Sequence, residues 1–242
     1  PPQGGLVDLL LQRVSCLCIK PGVLSALTRL VLTNAVYFKA QWQNPFSESA
    51  TEDGVFHQGN GTNVTVPMMR QTESLGYYGE DGLQVVELPY AGQSHSMLIL
   101  LPEGGQLADL AAGLDEARLQ ELVSRLERQS VALTMPRFEY EAEFELGEML
   151  AEMGMPTAFG EGADFTGMTT ETGLFISEVV HKAWVAVDEK GTEAAAATAV
   201  IMVGSAMPME PVEMTVDRPF LFAIRHRTTG ALLFVGQVVE LE

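Results

Sequence analysis

The sequence is poor in cations and cysteine, and each scarcity excludes a class of protein. Lys and Arg number 14 against 32 Asp and Glu, which gives a formal net charge of −18. Nucleic acids and anionic membrane surfaces are bound through cationic side chains, so we expect neither as a partner. The two cysteines, Cys16 and Cys18, form no disulfide framework, and no His or Cys cluster has zinc-ligand spacing. We therefore expect no metal and no cofactor.

Long apolar runs and hydrolase motifs are also absent. No run reaches the ~18 apolar residues of a transmembrane helix. The G-x-S-x-G nucleophile motif is missing, and none of the four histidines follows a nucleophile pattern, so we do not expect an enzyme. Pro1 is not an initiator Met and no signal peptide is visible, which indicates a processed product or a fragment. We expect an extracellular or periplasmic protein rather than a cytoplasmic one.

The elements that are present predict an α+β fold. Hydrophobic residues make up 47% of the chain, enough for a substantial core. The apolar run 30–38 predicts a strand buried on both faces, and 179–188 alternates like a half-buried strand. Leu107 to Leu126 has helical periodicity, and 146–153 predicts a short helix ending at Gly154. Further alternating segments predict strands over 51–71, 76–78, 83–88, 96–101, 131–144, 215–225 and 231–239. Without regular βαβ alternation, this order favours α+β.

The segment 189–200 is the most informative part of the chain. Its alanine run has high helix propensity, but as a strand it has a distinctive property. Every second residue from Thr192 to Thr198 is small and lies on one face, and the other face carries a single charge, Glu193. Such a segment can enter between two strands at little steric cost. The loop that follows, 201–211, is apolar and lacks Lys and Arg, which fits either an ordinary surface loop or a segment read by a protease cleft.

Four polar features have ordinary explanations beside functional ones. Asn34 lies inside an apolar strand, where a buried amide needs a hydrogen-bond partner. His181 is interpreted as a histidine at the edge of the core. Asn60-Gly61-Thr62 and Asn63-Val64-Thr65 match the glycosylation acceptor pattern but also suit polar loop residues.

Several separate motifs follow one another over about residues 25–242. They are LVLTNAVYFK with Trp42 and Pro45-Phe46, then VPMM (66–69), VELPY (86–90), LILLP (98–102), MPRF (135–138), ADFTGM (163–168), HKA (181–183), the small-residue segment 191–198, RPFLF (218–222) and LFVG (233–236). Taken in this order, they resemble the serpins, a family of serine protease inhibitors.

The resemblance implies a fold of three β-sheets with surrounding helices, and inhibition as a suicide substrate. The expected partner is a serine protease that forms a covalent acyl complex with the cleaved loop, which then inserts into the main sheet. The implied hinge comprises Glu189, Gly191, Thr192, Glu193, Ala194, Ala195, Ala196, Ala197 and Thr198.

Family positions also imply where the loop, about 189–211, is cut and how the sheet opens. Counting from Gly191 places the reactive bond at Ser205–Ala206. No cation lies between Thr192 and Arg218, so the implied target is elastase-, subtilisin- or chymotrypsin-like rather than trypsin-like. Asn34 and His181 match the shutter beneath the opening sheet, and Trp42 and Glu189 match the point where the loop enters.

The chain also departs from the family pattern. The amino-terminal third of a serpin has no counterpart, and residues 1–24 fit poorly as an atypical segment before the domain at 25–242. Gly147 stands where we expect the basic partner of Glu189, so that ion pair is predicted to be absent. An incomplete sheet predicts self-association. The alternative function is a non-inhibitory relative or a fragment that serves only as a substrate or binding partner.

Overall fold

The structure is a computed structural model that describes residues 28–80, 82–169, 173–192 and 210–242. The atypical segment 1–24 with Cys16 and Cys18, the predicted hinge from Glu193 onward and the predicted reactive bond Ser205–Ala206 lie outside these residues. The chain divides into two compact units. The first contains Pro1–Phe38 and Tyr140–Val185, and the second contains Lys39–Glu139 and Ala186–Glu242.

Strands dominate the described residues. The strands are β1 Leu30–Tyr37, β2 Ala40–Gln41, β3 Glu52–His57, β4 Asn63–Glu80, β5 Leu83–Pro89, β6 His95–Pro102, β7 Glu127–Pro136, β8 Phe138–Glu145, β9 Ile176–Asp188, β10 Gly191–Thr192, β11 Val212–Thr215, β12 Phe220–His226 and β13 Leu232–Val238. The α-helices are α1 Leu107–Gly113, α2 Glu116–Ser124 and α3 Gly147–Glu152, with 3₁₀ turns at Glu48–Ala50 and Pro156–Phe159. The predicted α+β class is confirmed.

In the first unit, β1 pairs in parallel with β9. The register runs from Leu30 opposite Ile176 to Tyr37 opposite Trp184, and β8 also pairs with β9. The prediction that β1 is buried on both faces was wrong, because Leu32, Thr33, Asn34 and Ala35 are exposed. Among the described residues β1 pairs with β9 on one side only.

In the second unit, seven strands follow the order β11-β7-β4-β5-β6-β12-β13, and β3 pairs with β4. The beginning of β4, 63–68, pairs with β3 and its end, 76–80, pairs with β5, while 68–77 pairs with β7. Because the long strand β4 pairs with all three, these strands belong to one hydrogen-bonded sheet.

The core of the second unit lies where this sheet meets α2. Amphipathic spacing buries Leu119 and Leu122 of α2 against the sheet. The buried cluster is Val85, Leu98, Leu100, Leu119, Leu122, Leu221 and Ala223. Strand β6 is buried over nearly its whole length, as expected of a central strand covered on both faces.

The predicted helix over 107–126 is two helices. The Asp115 carboxylate accepts a hydrogen bond of 2.7 Å from the Arg118 backbone N–H, which caps the start of α2. Gly113 ends α1, so the leucine periodicity continues across a break. No helix in the described ranges is long and apolar enough to cross a membrane.

Candidate functional site

The hinge begins as a tight reversal after β9. The Asp188 carboxylate accepts hydrogen bonds from the backbone N–H groups of Lys190, at 2.8 Å, and Gly191, at 3.1 Å. This local side-chain contact turns the chain back, as Asp side chains commonly do. Strand β10 then runs antiparallel to the end of β9 on one side and to β2 on the other. The first two small hinge residues therefore already form a strand.

Gly191 occupies a position that excludes a side chain. Its φ of +152° is a conformation that L-residues rarely adopt. A Cβ atom would lie 2.2 Å from the Ala40 carbonyl oxygen and 2.7 Å from the Gln41 Cα. The close approach of β10 to β2 therefore depends on glycine here.

Residues 188–192 form the base of the loop. Glu189 carries the most buried charge in this loop base, since the residue is only 3% exposed. Its Oε1 accepts from the Arg137 guanidinium, through Nε at 2.7 Å and a second nitrogen at 2.5 Å, and from the Thr51 hydroxyl at 2.5 Å. The Glu189 carbonyl accepts from the Phe46 backbone N–H at 2.8 Å. Two segments distant in sequence, the connection 46–51 and Arg137, thus meet on one residue.

These contacts keep Glu189 ionised despite its burial. Burial alone raises the pKa of a carboxyl group, but hydrogen bonds from Arg137 and Thr51 outweigh it, so the pKa of Glu189 lies below its ordinary value of 4.5. The same contact raises the pKa of Arg137. At neutral pH the pair is fully charged.

Two stacked aromatic side chains also form hydrogen bonds with the loop base. The rings of Trp42 and Tyr90 stack at 4.6 Å, and the indole N–H donates to the Asp188 carbonyl at 2.9 Å. The Tyr90 hydroxyl lies 2.7 Å from the hydroxyl of Thr192, which is completely buried. Burial raises the pKa of the Tyr90 phenol, so it stays neutral and hydrogen-bonded.

The two residues predicted for the shutter lie in the first unit. Asn34 and His181 are opposite each other in the β1–β9 register. The expectation that Asn34 is buried was wrong, since it is exposed. Water can therefore hydrogen-bond to its side-chain amide. His181 is half-buried and stacks on Phe144 at 6.3 Å.

The structure thus brings together Trp42, Glu189, Gly191 and Thr192, which the sequence predicted for the loop base. It also adds Thr51, Tyr90 and Arg137, which the prediction missed. The expected absence of a basic partner for Glu189 was wrong: the cation comes from Arg137, in the MPRF motif, and not from the position of Gly147. That motif was visible in the sequence, but its long-range contact was not.

No group of three or more His, Cys, Asp or Glu side chains within the described residues is arranged to hold a metal ion.

Comparison with known proteins shows the family of this chain. A family model described as Serpin (serine protease inhibitor) matches residues 16–241. The chain belongs to the serpin family. It is 44% identical over 220 residues to an uncharacterized serpin-like protein of Thermococcus kodakarensis, covering 90% of this chain and 51% of that protein. It is 42% identical to the leukocyte elastase inhibitor of Sus scrofa, covering 90% of this chain and 60% of the inhibitor.

Solved serpin structures share the fold. Human thyroxine-binding globulin, determined with thyroxine, superposes with a TM-score of 0.83 at 32% identity, covering 97% of this chain and 62% of the globulin. Serpins are in general protease inhibitors and not catalysts, yet this relative binds a small molecule. The chain spans about half to three-fifths of the length of the curated serpins compared above.

Replacing Arg137 with Met should destabilise the chain by about 1–3 kcal/mol, because it leaves the Glu189 carboxylate buried without a cation. The loss stays below that of a fully buried pair because the Arg137 side chain is 43% exposed. Urea unfolding at pH 7 measures the change.

The control is Arg70→Met, which breaks the Arg70–Glu52 pair, exposed at 47% and 65%, and should cost less than about 1 kcal/mol. The difference between wild type and Arg137→Met should shrink as pH falls below 4.5. The stabilisation from a carboxyl with a lowered pKa is present above that value and is lost as the group protonates. A difference that is constant down to acid pH contradicts the assigned pair.

Replacing Gly191 with Ala should destabilise the chain by about 2–4 kcal/mol, through backbone strain and the clash with Ala40. The Trp42 amide, which donates to the Lys190 carbonyl at 2.9 Å, should then exchange its hydrogen faster. Gly167→Ala is the matched control, since a Cβ there meets nothing within 4 Å. Equal exchange protection in both variants would mean that β10 does not depend on glycine.

Proposed function

We propose that this chain is a serine protease inhibitor that acts as a suicide substrate through its reactive loop. The observation that carries the proposal is the strand β10, where Gly191 and Thr192 are already paired between β9 and β2. The small hinge residues continue directly from this strand in the sequence.

The pairing directions supply a driving force for insertion. Strands β1 and β9 are parallel and pair directly, which is the arrangement before insertion. Because β10 is antiparallel to β9, a loop that prolongs β10 along β9 would run antiparallel to both β9 and β1. Insertion then replaces one parallel ladder with two antiparallel ladders, which are slightly more stable per residue. Breaking the β1–β9 ladder first provides the kinetic barrier.

The chemistry belongs to the target protease. Its serine hydroxyl attacks the carbonyl carbon of Ser205, the bond to the Ala206 nitrogen breaks, and the Ala206 amine leaves. The carbonyl of Ser205 is then esterified to the protease. If the hinge inserts before water hydrolyses this ester, the protease is carried along as a covalent complex.

We infer the class of the target protease from the composition of the loop. Residues 201–209 are small or apolar and contain no cation that could pair with the acidic pocket of a trypsin-like enzyme. An elastase-, subtilisin- or chymotrypsin-like protease accepts such side chains. We propose that the encounter takes place outside the cytoplasm.

A non-inhibitory function is the second candidate, and the exposed middle of β1 favours it. An inserted strand needs a firmly packed β1 on its far side, yet four consecutive residues from Leu32 are exposed. A chain cleaved in its loop without inserting would be only a substrate or a binding protein.

Incubation with an elastase-like and a subtilisin-like protease separates the two functions. An inhibitor should yield a complex that survives denaturing electrophoresis, together with loss of protease activity. Mass spectrometry should place the cut at Ser205–Ala206. Cleavage by both proteases without any complex would overturn inhibition by this chain and support the second candidate.

The hinge offers a matched pair of variants. Ala194→Glu puts a charge on the small face that must enter the sheet, so it should convert the chain into a plain substrate. Ala195→Glu puts the same charge on the opposite face, which already carries Glu193, and should preserve the complex. Equal behaviour of the two variants would contradict strand insertion.

We also propose that the chain associates with itself along β1. An unprotected apolar strand edge is a template for pairing, and Leu32 is 41% exposed. Light scattering should give a mass above 26.2 kDa that rises with concentration. Leu32→Lys should shift it toward the monomer, whereas Met168→Lys, at a residue 69% exposed outside the strands, should not. A monomer at every concentration would contradict this association.

A further inference from the structure

The hairpin of β3 and β4 carries two adjacent acceptor sequences, Asn60-Gly61-Thr62 and Asn63-Val64-Thr65. The structure places them in different environments. The first lies in the loop between the strands, and the second begins β4. Only an asparagine whose amide nitrogen can reach a transferase is usable in the folded chain.

The base of the loop is anchored to the end of the chain. The Gln58 backbone N–H donates to the Thr62 carbonyl at 2.8 Å, and its side chain donates to the Leu241 carbonyl at 2.6 Å. The Gly59 N–H donates to the Val239 carbonyl at 2.9 Å. These contacts hold the base and leave Asn60 and Gly61 at the tip.

Asn60 is exposed, and hydrogen bonds hold its side-chain amide in one orientation. Its Oδ1 accepts from the Thr62 backbone N–H at 2.8 Å and from the Thr62 hydroxyl at 2.6 Å. Its Nδ2 makes one long contact, 3.4 Å to Gln58 Oε1. Gly61, with φ of +84°, has nothing within 4 Å of the site of a Cβ. The acceptor nitrogen is therefore approachable beside the hydroxyl residue that the pattern requires.

Asn63 is also exposed, but its backbone is held in the sheet. It pairs with His57 across the β3–β4 ladder, and its Oδ1 lies 2.9 Å from His57 Nδ1. Thr65 is two residues further along an extended strand, roughly 6.6 Å away at 3.3 Å per residue. A compact turn between these two side chains requires the ladder to open.

We propose that Asn60 is an N-glycosylation site and that Asn63 is not. The Asn60 Nδ2 forms a bond to C1 of the first sugar of a lipid-linked oligosaccharide. The bond from C1 to the lipid diphosphate breaks, and the diphosphate leaves with the electron pair while the amide loses one proton. Such modification occurs on secreted chains, in line with the location proposed above.

The test uses the purified folded chain with an oligosaccharyltransferase and its lipid-linked oligosaccharide. Intact mass should show one added glycan, and peptide mapping should place it on Asn60. Asn63→Gln should be modified like wild type, and Asn60→Gln should react at least about tenfold more slowly, because Asn63 becomes available only by local opening. Circular dichroism confirms that both variants are folded.

A synthetic peptide spanning residues 55–66 is the unfolded control. Without the ladder, both asparagines should be modified, which shows that the preference comes from the fold. The proposal is overturned if Asn60→Gln and Asn63→Gln react equally in the folded chain. It is also overturned if the folded chain stays unmodified while the peptide is converted.

Discussion

The buried carboxylate of Glu189 is the constraint on which the loop base depends. A charge removed from water is costly unless it is paired and hydrogen-bonded, so its partners cannot be lost one at a time without penalty. Phe46 and Thr51 come from the connection between β2 and β3, Arg137 follows β7, and each binds the same residue. The point where the loop leaves β9 is therefore set by long-range contacts as well as by the local sequence.

Directly after this anchor, the chain reverses in a way that requires Gly191. The Asp188 turn and the missing side chain of Gly191 allow β10 to lie against both β9 and β2. Thr192 is then buried, and its hydroxyl hydrogen-bonds to the hydroxyl of Tyr90, which stacks on Trp42. Small residues thus have two uses here. Glycine at position 191 permits close approach of the two backbones, and the small side chains from Thr192 onward suit a strand that joins an existing sheet.

Local patterns predicted the strands well, since alternation is read within a few residues. They failed where the outcome depends on distant partners. The leucine spacing through 107–126 could not reveal that Asp115 starts a second helix. The apolar run of β1 indicated burial, yet burial depends on which segments cover it. Arg137 was missed as the partner of Glu189 because 52 residues separate them in the sequence.

Anchoring of the loop and its proposed insertion depend on different parts of the chain. The ion pair, the stack and β10 belong to the second unit, whose sheet has a well-buried core. The proposed exchange of partners along β9 would involve β1, which is exposed at its middle. Antiparallel pairing stabilises an inserted strand only if both neighbours stay ordered while it enters, because ordering a loose strand at the same time costs roughly 1–2 kcal/mol per residue. In the proposed mechanism, the support of β1, more than the hinge sequence, therefore decides whether cleavage leads to capture or only to release.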